Sequence, residues 1–260
     1  MVVNLSVVPE PSSRAEVPRP MTLPQMSLYT IELLIALGCA HLLADFVFQT
    51  THMVLNKHRL PILLMHGVHV FALTALFSGG AFAVAAGIAA SHVLIDWIKI
   101  TLAPDTLRSY LVDQAAHFAV LLGAVMLVPQ VWFFPLWPAL SADMIQISLV
   151  IGGAILASLA GGPAVGHLMV RYKADAQPEG LEYAGRIIGV MERALIYLMV
   201  MIGEPAGIGF LIAAKSILRF DTVSRDQRMS EYVIIGTLAS FGWALAAAFT
   251  TVATLNALGY

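Results

Sequence analysis

Two histidine and aspartate pairs with the same spacing are the most chemically capable feature of the sequence. His41 precedes Asp45 by four residues, and His92 precedes Asp96 by four residues, fifty-one positions further along the chain. Side chains four residues apart share one face of an α-helix. Neutral imidazole and carboxylate are the ligands of zinc, manganese and iron, so each helix can offer two ligands to one ion.

The same shift of fifty-one residues places His66 onto His117, which predicts an internal repeat. Residues 29–79 and 80–134 are interpreted as two parallel copies of a helix pair. Such copies are related by a pseudo-twofold axis along the membrane normal, with Asp45 facing Asp96 and His66 facing His117. The repeat therefore predicts either two related metal sites or one two-metal centre. The predicted ligands are His41, Asp45, His66, His69, His92, Asp96 and His117.

Two other interpretations of this cluster stay open. A lone histidine in an apolar helix is usually a hydrogen-bonded packing residue, and polar pairs commonly join membrane helices. Histidine and aspartate side chains at one depth also build proton relays. The matched register of the pairs favours a functional site, with a metal site preferred over a proton relay.

Composition indicates a membrane protein. The chain is 59% hydrophobic and 12% charged, with a mean hydropathy of +0.83, whereas soluble domains are about 25% charged. Its net charge of -2, without a basic arm, argues against nucleic acid as a partner. A single cysteine, Cys39, excludes an internal disulfide.

The predicted fold is all-α, a polytopic transmembrane helix bundle of about eight spans. Proline-rich residues 1–28 are predicted to be a disordered tail, 29–134 the repeat region and 135–260 a second membrane region of four helices. Glu204-Pro205 is the only break between spans six and seven, which alternatively form one long broken helix. The predicted spans are 29–49, 61–79, 80–102, 113–134, 143–166, 185–203, 205–220 and 230–252, long enough for a bilayer core.

Positive charges predict the orientation. They fall in the connections after spans one, three, five and seven, which the positive-inside rule places in the cytoplasm. Both termini then lie outside the bacterial inner membrane, and the His/Asp cluster lies in the cytoplasmic half of the bilayer. The charges are Lys57, Arg59, Arg108, Arg171, Lys173, Arg186, Arg219, Arg225 and Arg228.

Four more polar residues are candidate catalytic groups. Asp113 and Glu192 are predicted to act as general acid or base. Lys99 and Lys215 are predicted to stabilise charge on a phosphate-like substrate. Glu192 has an equally good structural interpretation, as one half of an ion pair between helices.

The motifs together resemble an uncharacterised family of bacterial integral-membrane proteins, a domain-of-unknown-function family. The resemblance implies a membrane fold and supplies no settled activity. More loosely, the His-x-x-x-Asp motifs resemble those of bacterial membrane-bound metal-dependent hydrolases. The motifs are His41-Leu-Leu-Ala-Asp45-Phe with Gln49, His66, His92-x-x-x-Asp96-x-x-Lys99, Asp113-x-x-x-His117, Gly185-Arg-Ile-Ile-Gly189-x-x-Glu192-Arg193, Ala214-Lys215-Ser216 and Glu231-Tyr-x-x-Ile-Gly236-Thr237.

The first functional hypothesis is a metal-dependent hydrolase with one or two divalent ions, zinc, manganese or iron. Its substrate would be lipidic or phosphate-bearing, with membrane lipid as the surrounding partner, because a water-soluble substrate gives no reason to bury the site. The alternatives are a transporter of protons or divalent metal, and a membrane scaffold with a structural polar cluster. No feature of the sequence indicates an oligomeric state.

Overall fold

The protein is helical wherever its structure is described. The computed structural model describes residues 23–127, 141–176, 184–218 and 227–260, and these contain no strand. Two π-helical turns, Ala44–Phe48 and Leu156–Ala160, continue α1 and join α6 to α7. The predicted all-α class is confirmed. The helices are α1 (Leu23–Leu43), α2 (Thr51–Asn56), α3 (Leu60–Phe77), α4 (Phe82–Leu102), α5 (Leu107–Leu127), α6 (Ala142–Ile155), α7 (Gly161–Ala176), α8 (Ala184–Met201), α9 (Gly207–Leu218) and α10 (Gln227–Leu258).

Six helical segments within the described residues are long and apolar enough to cross a membrane, two fewer than the eight spans predicted. They are Leu28–Phe48, Leu60–Phe77, Phe82–Leu102, Leu107–Leu127, Ala142–Lys173 and Gln227–Leu258. The chain is therefore a polytopic integral membrane protein.

The two predicted spans that do not qualify are α8 and α9. Helix α8 carries Arg186, Glu192 and Arg193, too many charges for an apolar span. Helix α9 has 12 residues, about 18 Å of helix against a hydrocarbon core of about 30 Å. The two are separate helices, because Gly203 adopts a φ of 77° between them. The alternative of one long broken helix is therefore wrong.

Helix α1 begins at Leu23, inside the segment predicted to be a tail. Pro24 occupies its first turn, where the missing backbone N–H has no helical partner to lose. The rest of the predicted tail, residues 1–22, lies outside the described residues. So do Arg219 and Arg225, on which part of the predicted orientation depends.

Helices α1, α3, α4 and α5 form a four-membered ring. Helices α3 and α5 each pack against both α1 and α4, so α1 and α4 occupy opposite corners. An axis that exchanges α1 with α4 and α3 with α5 preserves these contacts, as the predicted repeat requires. The apolar core of the ring consists of Leu33, Ala36, Leu37, Ala44, Val70, Ile88, Ala89, Leu121 and Val125, joined by Ile145 of α6.

A close approach of α3 to α4 positions the polar cluster. A Cβ at Gly67 would lie 2.5 Å from Val93 Cγ2, a distance that real Cβ atoms do not reach. Glycine at this position therefore lets the two helices come together beside His66 and His92. The turn between them uses Gly79 and Gly80, whose φ angles are 63° and 92°.

The second bundle packs α10 against α6, α7 and α8. Its core is separate from that of the ring and consists of Ala157, Ile196, Tyr197, Val200, Ile208, Phe241, Ala244, Ala247 and Ala248. Contacts of α1 with α6 and of α5 with α7 join the two bundles. The Tyr110 hydroxyl on α5 also donates to the Ala160 carbonyl at 2.9 Å.

Candidate metal centre

Four side-chain atoms converge inside the ring, from the π-helical turn after α1 and from α3 and α4. His66 Nε2 lies 3.0 Å from His92 Nε2. Asp45 Oδ1 lies 3.3 Å from each of these two nitrogens. Asp96 Oδ2 lies 3.7 Å from His66 Nε2 and 3.5 Å from His92 Nε2. We call Asp45, His66, His92 and Asp96 the primary site.

The primary site has the dimensions of a metal-ligand shell. Four ligand atoms placed tetrahedrally at about 2.0 to 2.1 Å from a zinc ion lie about 3.3 to 3.4 Å from one another. The five distances that involve Nε2 of His66 or of His92 run from 3.0 to 3.7 Å. The donor set, two imidazoles and two carboxylates, suits zinc, manganese or iron.

The π-helical turn places Asp45 at the primary site. Single π-turns inside α-helices add one residue to a turn and occur frequently at functional sites. Asp45 is the second residue of this turn, and its Oδ2 lies 3.8 Å from His41 Nε2 one turn earlier. His92 and Asp96 reach the same point from successive turns of a regular helix, α4.

Burial separates these charged groups from water. His66, His92 and Asp96 are 0%, 2% and 2% exposed. The buried Asp45 Oδ1 and Asp96 Oδ2 accept no hydrogen bond. Buried carboxylate oxygens without donors cost free energy, because the low dielectric does not replace their hydration. Lys57 Nζ forms an ion pair with Asp96 Oδ2 at 2.6 Å, in addition to the nearby nitrogens of His66 and His92.

His41 and His117 flank the primary site. The rings of His92 and His117 stack with centroids 4.0 Å apart, and the centroids of His41 and His117 lie 5.1 Å apart. His41 Nε2 also lies 3.3 Å from Gln114 Oε1. These two rings and His92 line a cavity of about 10 Å³, room for roughly one water, whose other walls are Val70, Thr74, Ile88, Val120 and Leu121.

One detail of the predicted repeat is wrong. His66 was expected to face His117, but it faces His92 across the close contact of α3 with α4. His117 stacks against His92 instead. The convergence of carboxylate and imidazole atoms within 3 to 4 Å, which the shared-centre prediction required, is present.

Asp113 lies beside this cluster on α5. Its Oδ2 accepts from Lys99 Nζ at 2.8 Å and from Gln114 Nε2 at 3.2 Å. Its Oδ1 lies 3.9 Å from His117 Nδ1. Lys99 keeps a third of its side chain exposed, so the lysine connects the buried carboxylate with the surroundings.

Three predicted site residues lie apart from the cluster. The His69 ring stacks on Phe48 with centroids 6.4 Å apart, and His69 is in none of the metal-competent groups of the described residues. Glu192 Oε2 accepts from Lys215 Nζ at 2.7 Å, so these two candidate catalytic groups pair with each other in the second bundle. The structural interpretation of Glu192 is the one this contact favours.

The structure adds Lys57 and Gln114 to the site and places Tyr110 beside it, with the ring centroid of Tyr110 5.8 Å from Lys99 Nζ. The sequence analysis included none of these three residues in the site. Lys57 follows α2 and entered the sequence argument only as a positive charge in a connection. Gln114 directly follows Asp113 in the sequence, and this position next to a predicted site residue could have identified it as a candidate. Tyr110 gave no such signal, because its partner is a backbone carbonyl of the distant π-turn.

The fold and the cluster define an integral membrane protein with buried histidine and aspartate groups that could hold a metal ion. Residues 33–140 match a family model described as a protein of unknown function, DUF3307. This confirms the predicted resemblance to an uncharacterised family over the part of the chain that contains the whole cluster. No curated protein and no solved structure matches the chain.

Proposed function

We propose that the protein is a metal-dependent membrane hydrolase whose primary site binds one divalent ion, zinc, manganese or iron. The observation that carries this proposal is the set of distances among Asp45, His66, His92 and Asp96. Four buried ligand-type atoms converge here, and the five distances that involve an imidazole nitrogen are 3.0 to 3.7 Å, close to those of a tetrahedral ligand shell. Asp45 Oδ1 accepts no hydrogen bond, which also argues against a scaffold, because a structural polar cluster normally satisfies its buried acceptors.

A bound divalent ion would activate a water as nucleophile and polarise an ester or phosphoryl oxygen. The residues around the site would supply binding and orientation. Lys99 is the partly exposed cation next to the cluster and would attract an anionic group of the substrate. Asp113, held by Lys99 and Gln114, would be fixed in orientation beside it.

Charge balance favours an anionic substrate. Asp45, Asp96 and Asp113 carry three negative charges, and Lys57 and Lys99 carry two positive ones. With neutral histidines the cluster has a formal charge of -1, and one divalent ion changes it to +1. A phosphate ester embedded in the membrane is anionic and fits that charge, so the substrate class is a lipidic, phosphate-bearing molecule.

The proposed setting follows from the positive-inside rule. We place the protein in a bacterial inner membrane, with both termini outside and the cluster open to the cytoplasmic leaflet. Lys57 and Arg59 follow the end of the first span and support this orientation. Fusing a reporter that is active only in the cytoplasm to residue 58 and to residue 80 would test it. Activity at residue 58 alone is expected.

The test of function combines metal analysis with lipid hydrolysis. Purified protein should retain about one or more divalent ions per chain and should hydrolyse anionic phospholipid vesicles, detected as new resonances in ³¹P spectra. His92→Ala should lose both properties. His52→Ala is the matched control, because His52 is exposed in the α2 segment. Stoichiometric metal without hydrolysis of phosphatidylglycerol or phosphatidate vesicles would contradict the substrate class, and absence of metal would contradict the function.

A transporter of divalent metal is the second candidate, and one observation favours it. The primary site is almost completely buried, and its neighbouring cavity holds only about one water, which suits an ion better than a lipid. Uptake of radiolabelled metal into proteoliposomes separates the two functions. A hydrolase shows no uptake above protein-free vesicles, whereas a transporter shows uptake that His92→Ala abolishes.

A further inference from the structure

A second group of ligand-type atoms adjoins the primary site. Asp96, Asp113 and His117 each offer one ligand atom, and the three atoms lie within 4.8 Å of one another. All three residues are buried, at 2%, 6% and 3% exposure. They come from α4 and α5, while the primary site draws on the π-turn, α3 and α4.

The atoms of this group that lack hydrogen bonds include Asp113 Oδ1, the carboxylate oxygen nearer to His117, and the ring nitrogens of His117. Asp113 Oδ2 accepts both available hydrogen bonds, from Lys99 and Gln114, and Asp113 Oδ1 accepts none. His117 has neither ring nitrogen in a hydrogen bond. The distance of 3.9 Å from His117 Nδ1 to Asp113 Oδ1 is too long for a hydrogen bond.

Donors on one carboxylate oxygen are how proteins orient a metal-binding carboxylate. Outer partners fix the side chain and leave the other oxygen for the ion. Lys99 and Gln114 orient Asp113 in this way, because both donate to its Oδ2 and leave Oδ1 available. A buried imidazole with two unpaired nitrogens then needs a partner, because leaving it without one costs about 1 to 3 kcal/mol per polar atom.

We propose that Asp96, Asp113 and His117 bind a second divalent ion, with Asp96 shared between the two sites. This inference rests on the proposed function and deepens it. The primary site has four ligand-type atoms. The second group has three, so a tetrahedral ion bound there would keep one position open for water or substrate. Lys99, the partly exposed cation, pairs with Asp113 of the second group, so the second ion is the one that meets the anionic substrate.

Shared carboxylates are typical of two-metal centres, whose ions lie about 3.5 to 4 Å apart and clamp both the attacking and the leaving oxygen. The stack of His92 on His117 fits this arrangement, because it places one ligand of each site in contact. The structure thus assigns Asp113 a ligand role in place of the predicted acid or base role.

Metal counting tests the second site without any assay of activity. The full chain, purified in detergent, is equilibrated with Mn²⁺ and analysed by mass spectrometry for metal per chain and by electron paramagnetic resonance. Two ions per chain and an exchange-coupled spectrum are expected. Asp113→Asn should keep one ion and give an uncoupled Mn²⁺ spectrum. Asp105→Asn is the control, because Asp105 is 91% exposed, and it should behave as wild type.

Three results overturn the proposal. One ion in wild type, unchanged in Asp113→Asn, removes the second site and leaves the primary site standing. Two ions in both proteins also remove it. No ion in wild type removes both sites and the proposed function with them. If Asp113→Asn does not fold, His117→Gln replaces it, since that variant keeps the Lys99 ion pair and should also retain one ion.

Discussion

The two halves of the molecule differ in whether their buried polar side-chain atoms form hydrogen bonds. In the ring of α1, α3, α4 and α5, buried side-chain atoms lack hydrogen bonds, and no such atom is found in the described residues of the second bundle. The atoms are Asp45 Oδ1, Gln49 Nε2, His66 Nδ1, His69 Nδ1, Asp96 Oδ2, Asp113 Oδ1 and both ring nitrogens of His117.

The second bundle satisfies its polar groups with unusual completeness. Arg193 donates to the Ser158 carbonyl through Nε at 2.9 Å and Nη2 at 2.8 Å, and to Ser240 Oγ at 3.0 Å. The π-turn Leu156–Ala160 that supplies this carbonyl is capped twice more. Trp243 Nε1 donates to the Leu156 carbonyl, and the Tyr110 hydroxyl donates to the Ala160 carbonyl.

This difference in hydrogen bonding indicates that the polar groups of the second bundle are structural. Glu192 and Arg193 are charged and buried, and Lys215 is partly buried, but each has a hydrogen-bond partner, as in interhelical pairs that hold bundles together. In the ring, by contrast, carboxylate oxygens and imidazole nitrogens lie close together, and several of these buried atoms have no hydrogen bond. A cation supplies what such a set lacks. Five predictions test this contrast, beginning with the largest expected effect.

Breaking the pair in the second bundle should destabilise the protein. Lys215→Met leaves Glu192 as a lone buried charge, which costs about 3 to 5 kcal/mol. The free energy of unfolding in detergent should fall by that amount, and metal content should not change. The double variant Lys215→Met with Glu192→Gln is the control and should recover most of the loss. If Lys215→Met instead keeps its stability and loses only hydrolysis, Lys215 is catalytic as the sequence predicted.

Adding metal should stabilise the first half and therefore the whole chain. A ligand at 100 times its Kd adds about 2.7 kcal/mol to the free energy of unfolding. Zn²⁺ or Mn²⁺ should raise the thermal midpoint of wild type more than that of His66→Ala, which keeps only the second group of ligands, Asp96, Asp113 and His117. An equal rise in both proteins would show that the metal binds elsewhere.

Gly67→Ala should disturb the primary site through packing. Its Cβ would lie 2.5 Å from Val93 Cγ2, so α3 and α4 must separate, at a cost of about 1 to 3 kcal/mol. Metal affinity should fall about tenfold, because His66 and His92 move apart. Val93→Ala in the same protein removes the contact and should restore affinity. Gly38→Ala is the control, since no atom lies within 4 Å of a Cβ there.

Asp45→Asn should have opposite effects on the metal-free and metal-bound protein. Removing an undonated buried charge should stabilise the metal-free protein by about 1 kcal/mol. The same change should reduce the stabilisation by Zn²⁺ to the part that the second group of ligands, Asp96, Asp113 and His117, provides. Thermal unfolding with chelator and with metal measures both effects. A loss of stability in chelator would mean that protein groups satisfy Asp45 without a metal ion, as Lys215 satisfies Glu192.

His69→Ala should have the smallest effect. It removes a ring that stacks on Phe48, worth less than about 1.5 kcal/mol, and touches neither group of ligands. Metal content should equal that of wild type. Loss of one ion would restore His69 to the ligand set that the sequence predicted.

Periodicity was sufficient to predict that the His41/Asp45 and His92/Asp96 pairs and His66 and His117 lie close together, but not the full set of residues around them. The four-residue spacing of His92 and Asp96 requires a shared face on any regular helix, and their depth in an apolar segment requires partners. The pairing of His66 with His92 was beyond such reasoning. It depends on the approach of α3 to α4 at Gly67 and on the π-turn at Asp45, and neither has a signature in residue type.

Hydropathy predicted eight spans, and six of them correspond to helices in the described residues that are long and apolar enough to cross a membrane. In α8 the apolar residues outnumber the charged ones, but Arg186, Glu192 and Arg193 count against a span, and α9 is too short. Lys57 could not be placed because its partner, Asp96, is distant in sequence. Long-range pairing of this kind depends on how helices pack, which composition does not encode.

Anomalous diffraction from crystals grown with Zn²⁺, collected at the zinc absorption edge, tests the central claim most directly. The account predicts a peak within about 2.0 to 2.2 Å of Asp45 Oδ1, His66 Nε2, His92 Nε2 and Asp96 Oδ2. Absence of a peak there, with the four side chains joined by hydrogen bonds or water, would contradict it.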